Sequence, residues 1–126
     1  MKEEKIVVLD RDGVINVDLM TYVTSPEEFQ AIEGSLEAMA KLTTSGYKIA
    51  IATNQACIEK NIISEEELRN VHDHMINLLS QFGGEINYIA FCPHAPESKC
   101  KCRKPEVGLL KEIEQGLNTH LKGKYF

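Results

Sequence analysis

The run Asp10-Arg11-Asp12-Gly13-Val14-Ile15-Asn16 directly follows the apolar stretch Ile6-Val7-Val8-Leu9. An unbroken apolar run of this kind suits a strand covered on both faces, and here it delivers two carboxylates, one residue apart, at its carboxyl end. Open α/β sheets bind ligands in the crevice beyond that end. Residues i and i+2 of an extended segment point to the same side, so Asp10 and Asp12 can address one reacting group. Gly13 frees the backbone to leave the strand sharply. A pair of this kind divides labour, one oxygen attacking as a nucleophile while the other carboxyl shuttles a proton. Asp and Gly are also common turn residues, so the run taken alone suits a plain surface turn as well.

Working outward, strand-like and helix-like segments alternate. Gly34 to Ser45 carries Leu36, Met39, Ala40 and Leu42 at helical spacing, with Gly46 suited to its end. Lys48 to Ala52 reads as a second buried strand with Thr53-Asn54-Gln55 at its exit. Ser64-Glu65-Glu66-Glu67 is a capping-box signature. The apolar residues Leu68, Val71, Met75, Leu78, Leu79 and Phe82 then predict a helix to about Gln81. Ile86 to Phe91 is a third strand. Pro105 opens another helix, with Val107, Leu110, Ile113 and Leu117 as its apolar stripe. Strands alternating with helices in this way predict an α/β fold with a parallel sheet, and the polar segments after each strand would meet at one sheet edge. Val17 to Ala31 breaks the alternation and is expected to form a small flap near the first carboxylates.

The 126 residues amount to one domain, residues 1–126, with room for one real core. Lys plus Arg number 14 against 19 Asp plus Glu, a formal charge of -5, and no basic stretch is long enough to suggest nucleic acid as a partner. The apolar run after Met1-Lys2-Glu3-Glu4 is too short for a signal peptide or a membrane span, so a cytoplasmic location is expected.

Of the four cysteines, Cys92, Cys100 and Cys102 crowd together beside His94. In a chain without a secretion signal that points to metal rather than disulfides. Three thiolates and an imidazole suit a tetrahedral Zn²⁺, closed and structural, held by Cys92, His94, Cys100 and Cys102. Cys57 stands apart and reads as a small packed residue.

The Asp-x-Asp-Gly-Val run resembles the strand-end motif of the haloacid dehalogenase superfamily, most of whose members are Mg²⁺-dependent phosphotransferases with an aspartyl-phosphate intermediate. Thr53-Asn54-Gln55 resembles its second motif, and Lys104 its third. With Cys-Pro-His and Cys-x-Cys-Arg-Lys-Pro added, the chain from Lys5 onward looks like the zinc-loop subgroup, whose members act on heptose bisphosphates or histidinol phosphate. The resemblance implies a Rossmann-like, three-layer α/β/α phosphatase.

In it Asp10 would be the nucleophile and Asp12 the acid and base. Thr53 and Lys104 would stabilise the phosphoryl group, and Asp10 and Asp12 would hold Mg²⁺. Arg11, Asp18, Tyr22, Asn54, Gln55 and Arg103 would contact the substrate, a small phosphosugar. The residues around Asn16-Val17-Asp18 and Tyr22 look more like the heptose enzymes than the histidinol ones. Two departures stand out. Where the family has a loop with two glycines, this chain reads Ala56-Cys57-Ile58-Glu59-Lys60-Asn61. No acidic fourth motif follows Glu114 either, so the chain is expected to stop short of the fourth core strand. It would then be a monomer or associate weakly through the open sheet edge.

Overall fold

A computed structural model describes residues 5–19, 22–94, 100–101 and 108–119. Strands β1 (Lys5–Leu9), β2 (Tyr47–Asn54) and β3 (Tyr88–Cys92) alternate with helices α1 (Ser35–Thr44), α2 (Glu65–Ser80) and α3 (Gly108–Leu117). The three strands are parallel in the order β1-β2-β3. Among the described residues β1 pairs only with β2.

Two boundaries differ from the sequence reading by more than a single residue. β2 runs on through Thr53 and Asn54, because Phe91 and Cys92 of β3 pair with them. β3 starts at Tyr88 rather than Ile86 because Asn87 takes over the ladder. Its N–H donates to the Ile49 carbonyl at 2.8 Å, and its side-chain oxygen accepts from the Ile49 N–H at 2.9 Å.

Strand alternation sends residues to two different cores. On one face Ile49 and Ile51 of β2 pack under Leu36 and Met39 of α1 and Val71, Met75 and Leu79 of α2. On the other, Ile6, Val8, Ala50, Ala52 and Ala90 meet Leu109 and Ile113 of α3. This is the expected three-layer arrangement. In α3 the fully buried positions are Leu109 and Ile113, with Leu110 and Leu117 half-buried beside them; Val107 and Pro105 lie outside the described residues.

The segment Val17 to Ala31 is anchored more firmly than a flap. Val23 and Phe29 are buried in the first core. Asn16 and Ala31 form an antiparallel bridge, and a 3-10 turn at Pro26–Glu28 closes the segment. The capping box at the start of α2 is present as read. The Glu67 N–H donates to Ser64 Oγ at 3.1 Å, and the Ser64 N–H donates to Glu67 Oε1 at 3.0 Å. No helix among the described residues is long and apolar enough to cross a membrane.

Ile51 is fully buried in the central strand, so Ile51→Ala is expected to cost about 2–5 kcal/mol in urea unfolding. Ser64→Ala removes one cap and is expected to cost about 1 kcal/mol. Equal effects of the two substitutions would contradict this description of the core.

Candidate active site

β1 ends at Leu9 and hands the chain to a tight turn. The N–H groups of Val14, Ile15 and Asn16 all donate to the Arg11 carbonyl, at 3.2, 2.8 and 3.2 Å. Gly13 sits at φ +83°, where a side chain would strain the backbone. This winding brings the Asn16 side chain back onto Asp12, its Nδ2 donating to Asp12 Oδ1 at 2.9 Å. Asp10 stands at the strand exit, half-buried, its Oδ1 accepting from the Arg11 N–H at 2.8 Å.

The Asp12 carboxylate is held from three directions. Besides Asn16, Arg11 Nη2 donates to Oδ1 at 2.9 Å and Gln55 Nε2 donates to Oδ2 at 3.0 Å. Burial by itself would raise the Asp12 pKa. The Arg11 charge and the hydrogen bonds from Asn16, Arg11 and Gln55 outweigh burial and hold it below its ordinary value. Asp12 is therefore a carboxylate at neutral pH. Gln55 Nε2 also donates to Thr53 Oγ1 at 2.9 Å, and its own Oε1 lies 3.6 Å from the Cys57 thiol. Burial pushes that thiol up, which agrees with reading Cys57 as packed rather than reactive.

Two expected substrate contacts also make hydrogen bonds within the protein. Arg11 is 0% exposed, its guanidinium spent on Asp12 and on His72 of α2. Gln55 is equally buried and its amide is spent on Asp12 and Thr53. Both act on Asp12 here, because a partly buried carboxylate is stabilised by donors that stand in for lost water. Thr53 is also buried, and its hydroxyl accepts from Gln55. Asn54 is half-buried at the end of β2, Asp18 is exposed, and Tyr22 is half-buried with the Lys60 ammonium 5.8 Å from its ring centre. Lys104 and Arg103 lie outside the described residues.

His72 was not singled out in the sequence. It follows Val71 on an apolar helix face, and a polar residue at such a position was the available signal. Arginine nitrogens only donate, so the 3.1 Å contact between Arg11 Nη1 and His72 Nε2 makes Nε2 the acceptor and leaves the ring proton on Nδ1. The loop after β2 also closes without glycine. Asn61 takes the left-handed conformation at φ 58°, which asparagine tolerates.

A second constellation lies at the end of β3. Cys92 Sγ is 3.4 Å from Cys100 Sγ and 3.6 Å from His94 Nδ1, and the three ligand atoms lie within 4.8 Å of one another. Donors on a tetrahedral ion with arms of about 2.0–2.3 Å stand roughly 3.3–3.8 Å apart, so this set can hold a metal ion. Cys102, the fourth expected ligand, lies outside the described residues. The two constellations share backbone: the Gln55 N–H donates to the Cys92 carbonyl at 2.7 Å, and the Glu59 N–H to the Pro93 carbonyl at 3.0 Å.

Burial, and then the Arg11 charge, lower the His72 pKa from 6.5 to about 4. The unfolded chain therefore takes the proton first as pH falls. Stability carried by neutral His72 is complete above about pH 6.5 and is lost between there and about pH 4, by about 3 kcal/mol in total. Urea unfolding at pH 7 and pH 4.5 is expected to reveal this loss in the wild type and a smaller one in His72→Gln. Identical losses in both would contradict a buried neutral His72.

The family model described as polynucleotide kinase 3 phosphatase matches residues 5–125. A D-glycero-beta-D-manno-heptose-1,7-bisphosphate 7-phosphatase of Neisseria meningitidis is 46% identical over 109 residues, 86% of this chain and 58% of its own length. The enzyme of the same name from Bordetella bronchiseptica is 40% identical over 119 residues, 94% of this chain and 66% of its own. The solved structure of the B. bronchiseptica D,D-heptose 1,7-bisphosphate phosphatase, complexed with magnesium and phosphate, superposes with a TM-score of 0.87. It is 39% identical and covers 91% of this chain and 64% of that one. The chain thus spans little more than half the length of the Neisseria relative. Taken with the strand-end carboxylates and the parallel sheet that presents them, these matches mean that the chain belongs to the polynucleotide kinase 3 phosphatase family of haloacid dehalogenase-like phosphatases.

Proposed function

We propose that the protein containing this chain is a cytoplasmic phosphatase that removes the 7-phosphate from a heptose 1,7-bisphosphate. The observation that carries this reading is the Asp10 and Asp12 pair at the exit of β1. It stands beside Thr53 of β2, in a chain 39% identical to a phosphatase complexed with magnesium and phosphate.

Asp10 is the nucleophile. Its oxygen forms a bond to phosphorus as the bond to the sugar oxygen breaks, giving an aspartyl-phosphate. The departing alkoxide takes a proton from Asp12, which first takes one from solvent or from the entering phosphate monoanion. Asp12, again a carboxylate, then accepts a proton from the water that hydrolyses the acyl phosphate, and inorganic phosphate leaves. Thr53, its hydroxyl oriented by Gln55, is assigned as donor to the phosphoryl oxygens, with Lys104 as the neutralising cation. Asn54 orients the phosphoryl group, and Asp18, Tyr22 and Arg103 are assigned to the sugar and its second phosphate. Binding energy from that remote phosphate is available to the reacting centre.

Hard oxygen donors suit Mg²⁺, and Asp10 and Asp12 are the residues that would hold it. When bound, it supplies neutralisation of phosphate charge. Thiolates with imidazole suit Zn²⁺ instead, so Cys92, His94 and Cys100, with Cys102, are assigned to a structural zinc. Its place next to the backbone bonds of Gln55 and Glu59 would brace the loop behind the nucleophile.

Phosphate release from heptose 1,7-bisphosphate in Mg²⁺ is expected, and Asp10→Asn is expected to reduce kcat by at least about 10³-fold with the fold intact by circular dichroism. A wild-type chain that releases no phosphate would overturn the proposal for this chain. Elemental analysis is expected to find about one zinc per chain, lost in Cys92→Ser. Full zinc retention in that variant would remove Cys92 from the ligand set.

A further inference from the structure

We propose that His72 is a positioning residue. Through the buried guanidinium of Arg11 it fixes the carboxylate of Asp12 for proton transfer. The inference rests on the phosphatase reading for its catalytic consequence, though not for its geometry.

Arg11 is 0% exposed and has no solvent to satisfy it. Nη2 is spent on Asp12 Oδ1 at 2.9 Å and Nη1 meets His72 Nε2 at 3.1 Å, while Nε finds no partner among the described residues. A planar guanidinium pinned at one nitrogen still pivots about that contact; the second contact, on the neighbouring nitrogen, sets its plane. His72 comes from α2, a different element from the turn that carries Arg11 and Asp12. It therefore ties the turn to the scaffold, where Asn16 cannot, being part of the same turn. An imidazole kept neutral is what this position demands, since only an unprotonated Nε2 accepts from arginine.

His72 also lines an open cavity of about 250 Å³, with Glu65, Arg69, Asp73, Ile76 and Phe91 among its neighbours there. An acceptor at this point, rather than mere bulk, is the feature the geometry requires.

The test compares wild type, His72→Gln, which keeps an acceptor near the Nε2 position, and His72→Leu, which keeps the bulk and removes it. Long-range ¹H–¹⁵N spectra of the wild-type chain are expected to show His72 protonated on Nδ1 alone at neutral pH. Separate, slowly rotating Arg11 guanidinium signals are expected to persist in His72→Gln and to collapse in His72→Leu. A proton on Nε2, or Arg11 signals unchanged in His72→Leu, would overturn the proposal, and neither readout requires turnover.

In kinetics, His72→Leu is expected to lower kcat on the sugar phosphate about tenfold at unchanged KM, and His72→Gln to restore it. The single-turnover burst from p-nitrophenyl phosphate, whose phenolate leaves without a proton, should hardly change, whereas the water attack that follows uses Asp12 as base and slows on either substrate. An equal loss in the phosphoryl-transfer burst on both substrates would also overturn the assignment. If the wild type turns over neither substrate, the phosphatase reading fails for this chain, while the spectra still decide whether His72 fixes the Arg11–Asp12 pair.

Discussion

A carboxylate that is two-thirds out of water must be met by donors, and most of the site follows from how Asp12 meets that requirement. Its two oxygens receive Arg11 and Asn16 on one side and Gln55 on the other. Arg11 and Asn16 come from the turn after β1, Gln55 from the residue after β2, and Arg11 is in turn held by α2. One side chain thus binds together a turn, the central strand's exit and a helix. The cost is visible in the buried Arg11 Nε and Asn16 Oδ1, which find no partner among the described residues. Orphaned atoms of this kind are tolerated where geometry serves chemistry rather than stability alone.

The same constraint explains why the carboxylates differ despite being one residue apart. Asp12 is clamped by three side-chain donors and kept ionised. Asp10, at the strand exit, is aligned by the Arg11 main-chain N–H. A nucleophile and a proton carrier need these different surroundings, and a strand running into a glycine turn supplies both within three residues.

The metal-ligating cluster at the end of β3 is joined to this arrangement by backbone rather than by side chains. Parallel pairing sets Asn54 beside Cys92. The Gln55 N–H then reaches the Cys92 carbonyl and the Glu59 N–H reaches Pro93. Any restraint on Cys92, His94 and Cys100 is therefore passed to the loop that carries Gln55. That loop turns without glycine because Asn61 accepts the left-handed conformation, and Ala56 and Cys57 are small enough to be buried.

Much of this molecule was legible in the sequence because the signals are local. Ile6 to Leu9 and Ile49 to Ala52 are apolar without a break, so their burial between two layers follows from composition alone. Ser64 and Glu67 interact within one turn, so the start of α2 could be read directly. Asp10, Asp12 and Gly13 are neighbours in the chain, and Cys92, His94 and Cys100 nearly so. What the sequence could not decide is which polar side chains turn inward. Arg11 and Gln55 looked like substrate contacts, yet both are fully buried, and His72 was hidden in an apolar helix face. Their roles depend on contacts across 61 and 43 residues of chain. Only the packing of α2 on the sheet brings those groups together, and a one-dimensional pattern of polarity does not encode which donor a buried carboxylate will meet.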